Sequence, residues 1–487
     1  MCGYFLCGIR PIKYSDGPNG VRGQSIHAST KATCFPCAAC VRATFNPVLA
    51  LKMGQTIGRE SKVKDIGLVL GPMADPVLTT LYRRQEFRGL HGRPDTVWDS
   101  SIVDEKALRE LYAYSFQVLL KNARPWCIMT SYSLVNGVFM SENKDLLQGP
   151  LRKEWKFQGA IVSDIEGVYS TAPSVLAGVS LELPGPARFR AKRLLQAVKE
   201  GQVDESQVDA LAADVITLAS RVGMRDENAA EANIPRDETT AALLHEIAAE
   251  GIVLLKNNQN LLPILPAKAL EIAVFGSPAM TPVINGGGSA SLSPVHVSIP
   301  LEALEEKFGK DNMQYHAGVP IFKKIPSAPT WTMRTLRDGR PGVDCYWYNG
   351  WTVGANQVHH EVLESTRTLV IDARISELSA THCTRMGFIL TPKTSGTHVF
   401  GVTACGKCVP RVDGKAILEH AGFEDCRVEY VMQPGDFEAR TSLQMVAGKT
   451  PFFLCTEFNY FSAGCQSTPS TTTNSRSRFQ NSSDKAG

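Results

Sequence analysis

The sequence predicts a multidomain α/β plus β protein, and three observations carry that prediction. Between Ile102 and Met224 short apolar runs alternate with amphipathic stretches, the pattern of βα units around a parallel sheet. After Met224 the polar run RDENAAEAN has no apolar period and reads as a linker. From about Ser327 alternating runs and turn signals take over, as in a β-sandwich. A chain of 487 residues has room for several such units, because single cores stop growing at roughly 250 to 300 residues.

In chain order, Trp126–Met129 and Gly159–Val162 are the buried-strand candidates of the first unit. Asp104 is placed to cap a helix whose Leu108, Leu111, Tyr112, Ser115 and Leu119 share one face, with Lys106, Arg109 and Glu110 left for solvent. Another helix starts near Asp204 and buries Val208, Leu211, Val215 and Leu218. Past the linker come a helix over Glu238–Glu250 and strands at Ile252–Lys256 and Ile272–Phe275. This segment, about 90 residues long, is thin for an independent core. Thr368–Ala373, Gly387–Leu390, His398–Thr403 and Val409–Val412 are the strands of the last part, and Asp413-Gly414 is a hairpin signal. Ser467–Gly487 is rich in Ser, Thr and Asn and reads as disordered. The expected divisions are 1–222, a linker at 223–236, 237–326, 327–466 and a tail at 467–487.

The 51 basic and 48 acidic residues are interspersed, giving a formal net charge of +3, so no basic stripe points to nucleic acid as a partner. No apolar run approaches the roughly 18 to 20 residues that span a bilayer, and Met1–Arg10 is too short in apolar core for a signal peptide. No membrane partner is expected, and neither compartment nor oligomeric state is legible. The single glycosylation sequon, at Asn481, falls in the tail. Thirteen cysteines at irregular spacing fit reduced thiols better than a disulfide framework. Cys34, Cys37 and Cys40 have metal-cluster spacing but lack a fourth ligand in any motif, so no metal is expected. Cys405 and Cys408, flanking Gly406-Lys407, fit a hairpin turn better than a redox pair. Gly286–Gly288 lacks the Lys-Ser/Thr that a phosphate loop needs.

The chemistry concentrates at Asp164. Phe157–Gly167, read as a strand ending in Val162-Ser163-Asp164, puts a carboxylate at the C-terminal mouth of a parallel strand, where barrel enzymes keep catalytic groups. An Asp there also serves as a cap or turn residue. Four stretches in order add to it: Ser15–Gly23 (SDGPNGVRG); Ser131–Gly137 (SYSLVNG) with Ser141-Glu142-Asn143; Leu151–Trp155 (LRKEW) leading to Ser163-Asp164; and Ala177-Gly178 with Glu182–Pro186 (ELPGP). Together they resemble glycoside hydrolase family 3 in its fungal β-glucosidase branch. Ala249–Asn257 (AEGIVLLKN) and Gly286–Ser291 (GGGSAS) are similar to the opening of that family's second domain. Gly396–Thr403 (GTHVFGVT) with Val412–Lys415 (VDGK) resembles the protective-antigen-type sandwich inserted there in one subgroup.

The resemblance implies an incomplete (β/α)8-type barrel, a partial α/β sandwich and an inserted β-sandwich. It also implies a retaining β-glucosidase that releases terminal glucose from small β-glucosides or oligosaccharides without a cofactor. By the same match Asp164 is the nucleophile, and it works ionised, which suits hydrogen-bond donors around it rather than a dry pocket. Asp16 would accept from sugar hydroxyls, with a turn residue before Gly17-Pro18 as the other reading. Tyr132 would lie beside the nucleophile or pack in the core, and Arg22 would face the sugar or form a structural ion pair.

The sequence departs from the family pattern in three places. Ile165 stands where members carry Trp after the nucleophile, which removes an aromatic wall against the sugar. No Lys-His dipeptide occurs, and the stretch from Gly71 to Ser100 is short for its counterpart, so at least one βα unit is expected to be missing. No residue matches the acid/base glutamate that follows the insertion; Glu166 and Glu182 are the substitutes near in sequence. The chain therefore reads as gapped in the barrel and truncated at its C-terminus. The alternative to an active hydrolase is a sugar-binding pseudoenzyme or truncated gene product.

Overall fold

The computed structural model describes residues 12–23, 30–71, 100–185, 187–222, 232–265, 271–286, 291–319 and 438–460, and 325–421 less 326, 329, 355, 367–374, 376, 380 and 405. The stretch from Pro72 to Asp99, the strand expected at Thr368–Ala373, the tail and most of the linker lie outside the described residues. The fold is multidomain α/β.

The first segment opens with strands β1 (Tyr14–Asp16) and β2 (Lys31–Ala32) and helices α1 (Ala38–Ala43) and α2 (Pro47–Val63). Asn46 caps α2 by accepting from the Val48 amide, and Pro47 supplies the fixed φ of a first helical turn. Strand β3 (Leu68–Leu70) then returns parallel to β1. After β4 (Ser100–Ser101), Asp104 accepts from the Ala107 amide, the expected cap, and the helix beyond it relaxes into a π-turn over Leu108–Tyr112 before α3 (Tyr114–Ala123).

Strand β5 (Cys127–Thr130) pairs in parallel with β8 (Ala160–Ile165), and β8 with β9 (Leu181–Leu183). Between β5 and β8, β6 (Leu134–Val135) and β7 (Val138–Phe139) form a small turn. Ala160, Ile161 and Val162 are buried, as a parallel strand covered on both faces requires. The core here joins Ile128, Leu147, Leu151, Phe157, Ile161 and Val179. Helices α4 (Ala172–Leu176), α5 (Lys192–Lys199) and α6 (Glu205–Val222) follow. Arg152 clamps α6 against this sheet through Asp214 at 2.7 Å, while its other nitrogen donates to the Phe157 carbonyl.

Helix α7 (Glu238–Glu250) has the expected bounds, capped by Asp237, and packs Leu243 and Ile247 on Leu49 and Met53 of α2. Ile252–Lys256, expected as a strand, is irregular, with Ile252 at 77% and Leu255 at 90% exposure. An apolar run becomes a strand only where a neighbour completes its ladder. Strand β10 (Ile272–Phe275) forms as expected. Strand β11 (Ser293–Pro294), helix α8 (Pro300–Phe308) and β12 (Met313–His316) follow, with β12 parallel to β10. Strand β11 pairs with β2, setting Ser293 opposite Lys31 and Pro294 opposite Ala32. Lys31 also accepts from the Ile234 amide and bonds Ser293 Oγ through Nζ.

The last part is antiparallel. Strands β13 (Met333–Arg334), β14 (Val343–Asn349), β15 (Gln357–Leu363) and β16 (Thr381–Leu390) precede β17 (Gly396–Val402), β18 (Lys407–Val412), β19 (Lys415–Ala416), β20 (Ala439–Met445) and β21 (Phe452–Tyr460). One sheet runs β15-β14-β16-β21-β18-β19, and β17 pairs with β20 in another. Phe400 of β17 meets Phe453 of β21 with ring centroids 5.2 Å apart, so the two sheets touch face to face. Asp413 and Gly414 have φ of 47° and 81°, the left-handed pair that a two-residue hairpin needs. The turn expected at Gly406-Lys407 is not a hairpin, because β17 and β18 belong to different sheets and the link crosses between them.

Candidate active site

Asp164 sits in a bulge near the C-terminal end of β8. Val162 faces Leu181 and Ile165 faces Leu183, so three steps along β8 match two along β9. One extra residue bends the strand and re-aims its side chains. Ser163, fully buried, holds the bulge from behind: its hydroxyl donates to the Asp164 carbonyl at 2.8 Å and accepts from the Leu183 amide at 2.9 Å. Past Asp164 the chain turns at once. Gly167 donates its amide to the Asp164 carbonyl, and Glu166 takes a φ of 59°. A Cβ on Gly167 would lie 3.2 to 3.4 Å from the Asp164 backbone and Cβ, so a side chain there would press on the carboxylate's own residue.

The Asp164 carboxylate is half-buried and gathers donors on one oxygen. Its Oδ1 accepts from the Tyr132 hydroxyl at 2.9 Å and from the Ile165 amide at 2.7 Å. Tyr132 comes from the turn between β5 and β6, so two adjacent strand ends converge on this oxygen. Two of the four sequence-selected residues are thereby brought together.

The other two, Asp16 and Arg22, form their own pair. Asp16 closes β1, and the Arg22 guanidinium reaches its Oδ2 at 2.8 Å, with the Arg22 amide on the Asp16 carbonyl. Arg22 is therefore in an ion pair, one of the two readings its sequence position allows. The loop between them is folded tightly: Gly20 has a φ of 141°, and a Cβ there would meet the Thr33 carbonyl at 2.0 Å. Only glycine fits.

Two residues at the C-terminal end of α2, Glu60 in its last turn and Lys64 at its cap, hold this loop and stand in no motif of the sequence. Lys64, just past α2 and 1% exposed, donates to the carbonyls of Arg22 at 3.5 Å and Thr30 at 3.0 Å and to the Thr30 hydroxyl at 2.7 Å. Glu60, 6% exposed, accepts from the Thr33 amide and hydroxyl, and burial pushes its carboxyl above the ordinary glutamate range against those bonds. Their i,i+4 spacing is the only signal in the sequence, and on a helix it indicates no more than a surface ion pair.

The substitutes considered for proton transfer are engaged elsewhere. Both Glu182 oxygens accept from backbone amides of Arg188 and Phe189, and Glu166 pairs with Arg188 at 3.3 Å. Among the described residues no three His, Cys, Asp or Glu side chains gather as a metal centre, the Cys34, Cys37 and Cys40 group included.

Carboxylates at the C-terminal ends of parallel strands stand where barrel enzymes carry their catalytic groups, and carboxylates are the groups that glycoside hydrolysis uses. Residues 85–218 match the glycosyl hydrolase family 3 N terminal domain and residues 252–449 match the glycosyl hydrolase family 3 C-terminal domain. The chain belongs to glycosyl hydrolase family 3. It is 32% identical over 451 residues to probable beta-glucosidase I of Aspergillus oryzae, covering 85% of this chain and 53% of that protein. It is 31% identical over 494 residues to probable beta-glucosidase J of Neosartorya fischeri, covering 91% and 56%. The crystal structure of beta-glucosidase from Kluyveromyces marxianus in complex with glucose superposes with a TM-score of 0.78 at 25% identity, over 92% of this chain and 59% of that one. The chain thus spans about half the length of the curated relatives it matches.

Proposed function

We propose that this chain carries the sugar-binding and nucleophilic half of a retaining β-glucosidase that releases terminal β-D-glucose from small β-glucosides or oligosaccharides. In this reading 1–222 is an incomplete (β/α)8-type barrel, 237–326 a partial α/β sandwich after a linker at 223–236, and 327–466 an inserted protective-antigen-type β-sandwich. The observation that carries it is the bulged strand end that presents Asp164 with two donors on a single oxygen.

A carboxylate oxygen of Asp164 attacks the anomeric carbon, the bond to the aglycone oxygen breaks, and a glycosyl ester remains; water then hydrolyses the ester and returns the carboxylate. Tyr132 orients the carboxylate for attack. Asp16 and Arg22 offer an acceptor and a donor set to sugar hydroxyls, and their mutual pairing fixes both side chains before sugar arrives.

A dinitrophenyl β-glucoside tests this reading, because its phenolate leaves without protonation and reports the Asp164 step apart from any acid/base group. Release of dinitrophenol, lost by at least about a thousandfold in Asp164→Asn, is expected. A 2-deoxy-2-fluoroglucoside should leave its sugar on Asp164 in a peptide map. Labelling of a different carboxylate, or turnover untouched by the substitution, rejects the assignment.

A further inference from the structure

We propose that Cys408 and Cys455 are a disulfide-forming pair, a cross-strand modification site that fastens β18 to β21. Their Sγ atoms stand 2.8 Å apart with no covalent bond between them. That is closer than two non-bonded sulfur atoms pack, and it leaves only a short approach to the roughly 2.05 Å of a covalent S–S bond.

Strand register explains the proximity. The antiparallel ladder sets Cys408 opposite Glu457 and Cys455 opposite Pro410. The two cysteines are therefore diagonal neighbours projecting to the same face of the sheet, where their sulfurs meet. Cys408 is 2% exposed and Cys455 is half-buried, so an external reagent meets Cys455 first.

The oxidant is a small-molecule disulfide such as oxidised glutathione. The Cys455 thiolate attacks one of its sulfurs, forming a mixed disulfide and releasing one glutathione thiol. The Cys408 thiolate then attacks the Cys455 sulfur and expels the second. The two cysteines give up two electrons and two protons in all, and the oxidant leaves as two thiols. The resulting bond joins positions 47 apart in sequence and restricts the unfolded chain accordingly.

The test uses the full chain, reduced and then incubated with oxidised glutathione, quenched with iodoacetamide and mapped by mass spectrometry without reduction. Expected is one linked species joining the Cys408 and Cys455 peptides, lighter than their sum by two hydrogens and abolished by dithiothreitol. Oxidation should also raise the Tm of the β-rich part, by on the order of 5 °C, and this shift should vanish in Cys408→Ser and in Cys455→Ser. Recovery of both cysteines alkylated, each carrying its own glutathione, or linked to other cysteines overturns the proposal. If the serine variants do not fold, the peptide map of the unmodified chain decides alone.

Discussion

The Tyr132 hydroxyl donates to Oδ1 of Asp164 across 2.9 Å, tying the turn after β5 to the bulge of β8. Neither residue is near the other in sequence, and their meeting depends on the parallel pairing that sets Thr130 beside Ser163. Removing the hydroxyl leaves the ring and its packing in place.

Tyr132→Phe should therefore lower kcat/KM for a dinitrophenyl β-glucoside by about tenfold to a hundredfold, the loss of one hydrogen bond to a charged group. The unfolding midpoint should change little. Steady-state kinetics beside a thermal melt separate the two, and an unchanged kcat/KM would mean that the phenol plays no part in orienting the carboxylate.

Lys64 acts on the Asp16–Arg22 pair from behind. Lys64→Met keeps most of the volume and strips the donor from the Arg22 and Thr30 carbonyls, leaving buried acceptors without it at a cost of about 1–3 kcal/mol. The expected result is a lower melting temperature together with a KM raised about tenfold and a kcat that moves less. A fall in kcat alone would place the effect at Asp164 instead.

Glu60 gives a pH signature. Its folded-state pKa is raised, chiefly by burial, so its contribution to stability is present in full below the ordinary glutamate value and is lost as pH climbs through the folded value. Glu60→Gln removes the charge and keeps an acceptor for Thr33. Its melting temperature should gain on that of the unmodified chain as pH rises from roughly 4 to 8. A gap that stays constant, or runs the other way, contradicts the sign.

The cysteines should sort by environment. Burial pushes the thiols of Cys34 and Cys127 up to about 11, whereas Cys37 is exposed on the turn before α1. Iodoacetamide at neutral pH should label Cys37 first and the other two about a hundredfold more slowly, with their rates rising about tenfold per pH unit. Equal labelling times by mass spectrometry would show that the buried thiols open readily.

What the sequence disclosed depended on the range of the interaction. Asp104 as a cap, the helix Glu238–Glu250 and the hairpin at Asp413-Gly414 are local events, decided by a few adjacent residues, and all three appear as read. Ile252–Lys256 failed because its apolar run has no neighbouring strand among the described residues, and nothing within five residues reveals that. The Cys405–Cys408 link failed for a similar reason, since which sheet a strand joins is a long-range choice. At the site, Asp16, Arg22, Tyr132 and Asp164 were legible as a set only through motifs in order. The bulge that aims Asp164 was not, because register belongs to two strands and never to one. Glu60 and Lys64 escaped because their partners lie about thirty residues upstream.

The ladder between β2 and β11 carries a consequence for how this chain is born. Lys31 and Ser293 are bonded partners separated by 262 positions, so the ribosome must finish most of the polypeptide before that seam closes. At bacterial or eukaryotic elongation speeds the delay is on the order of tens of seconds. Throughout it the segment beside the Asp16 loop waits without the one strand that pairs with it among the described residues, so the N-terminal region completes its folding late.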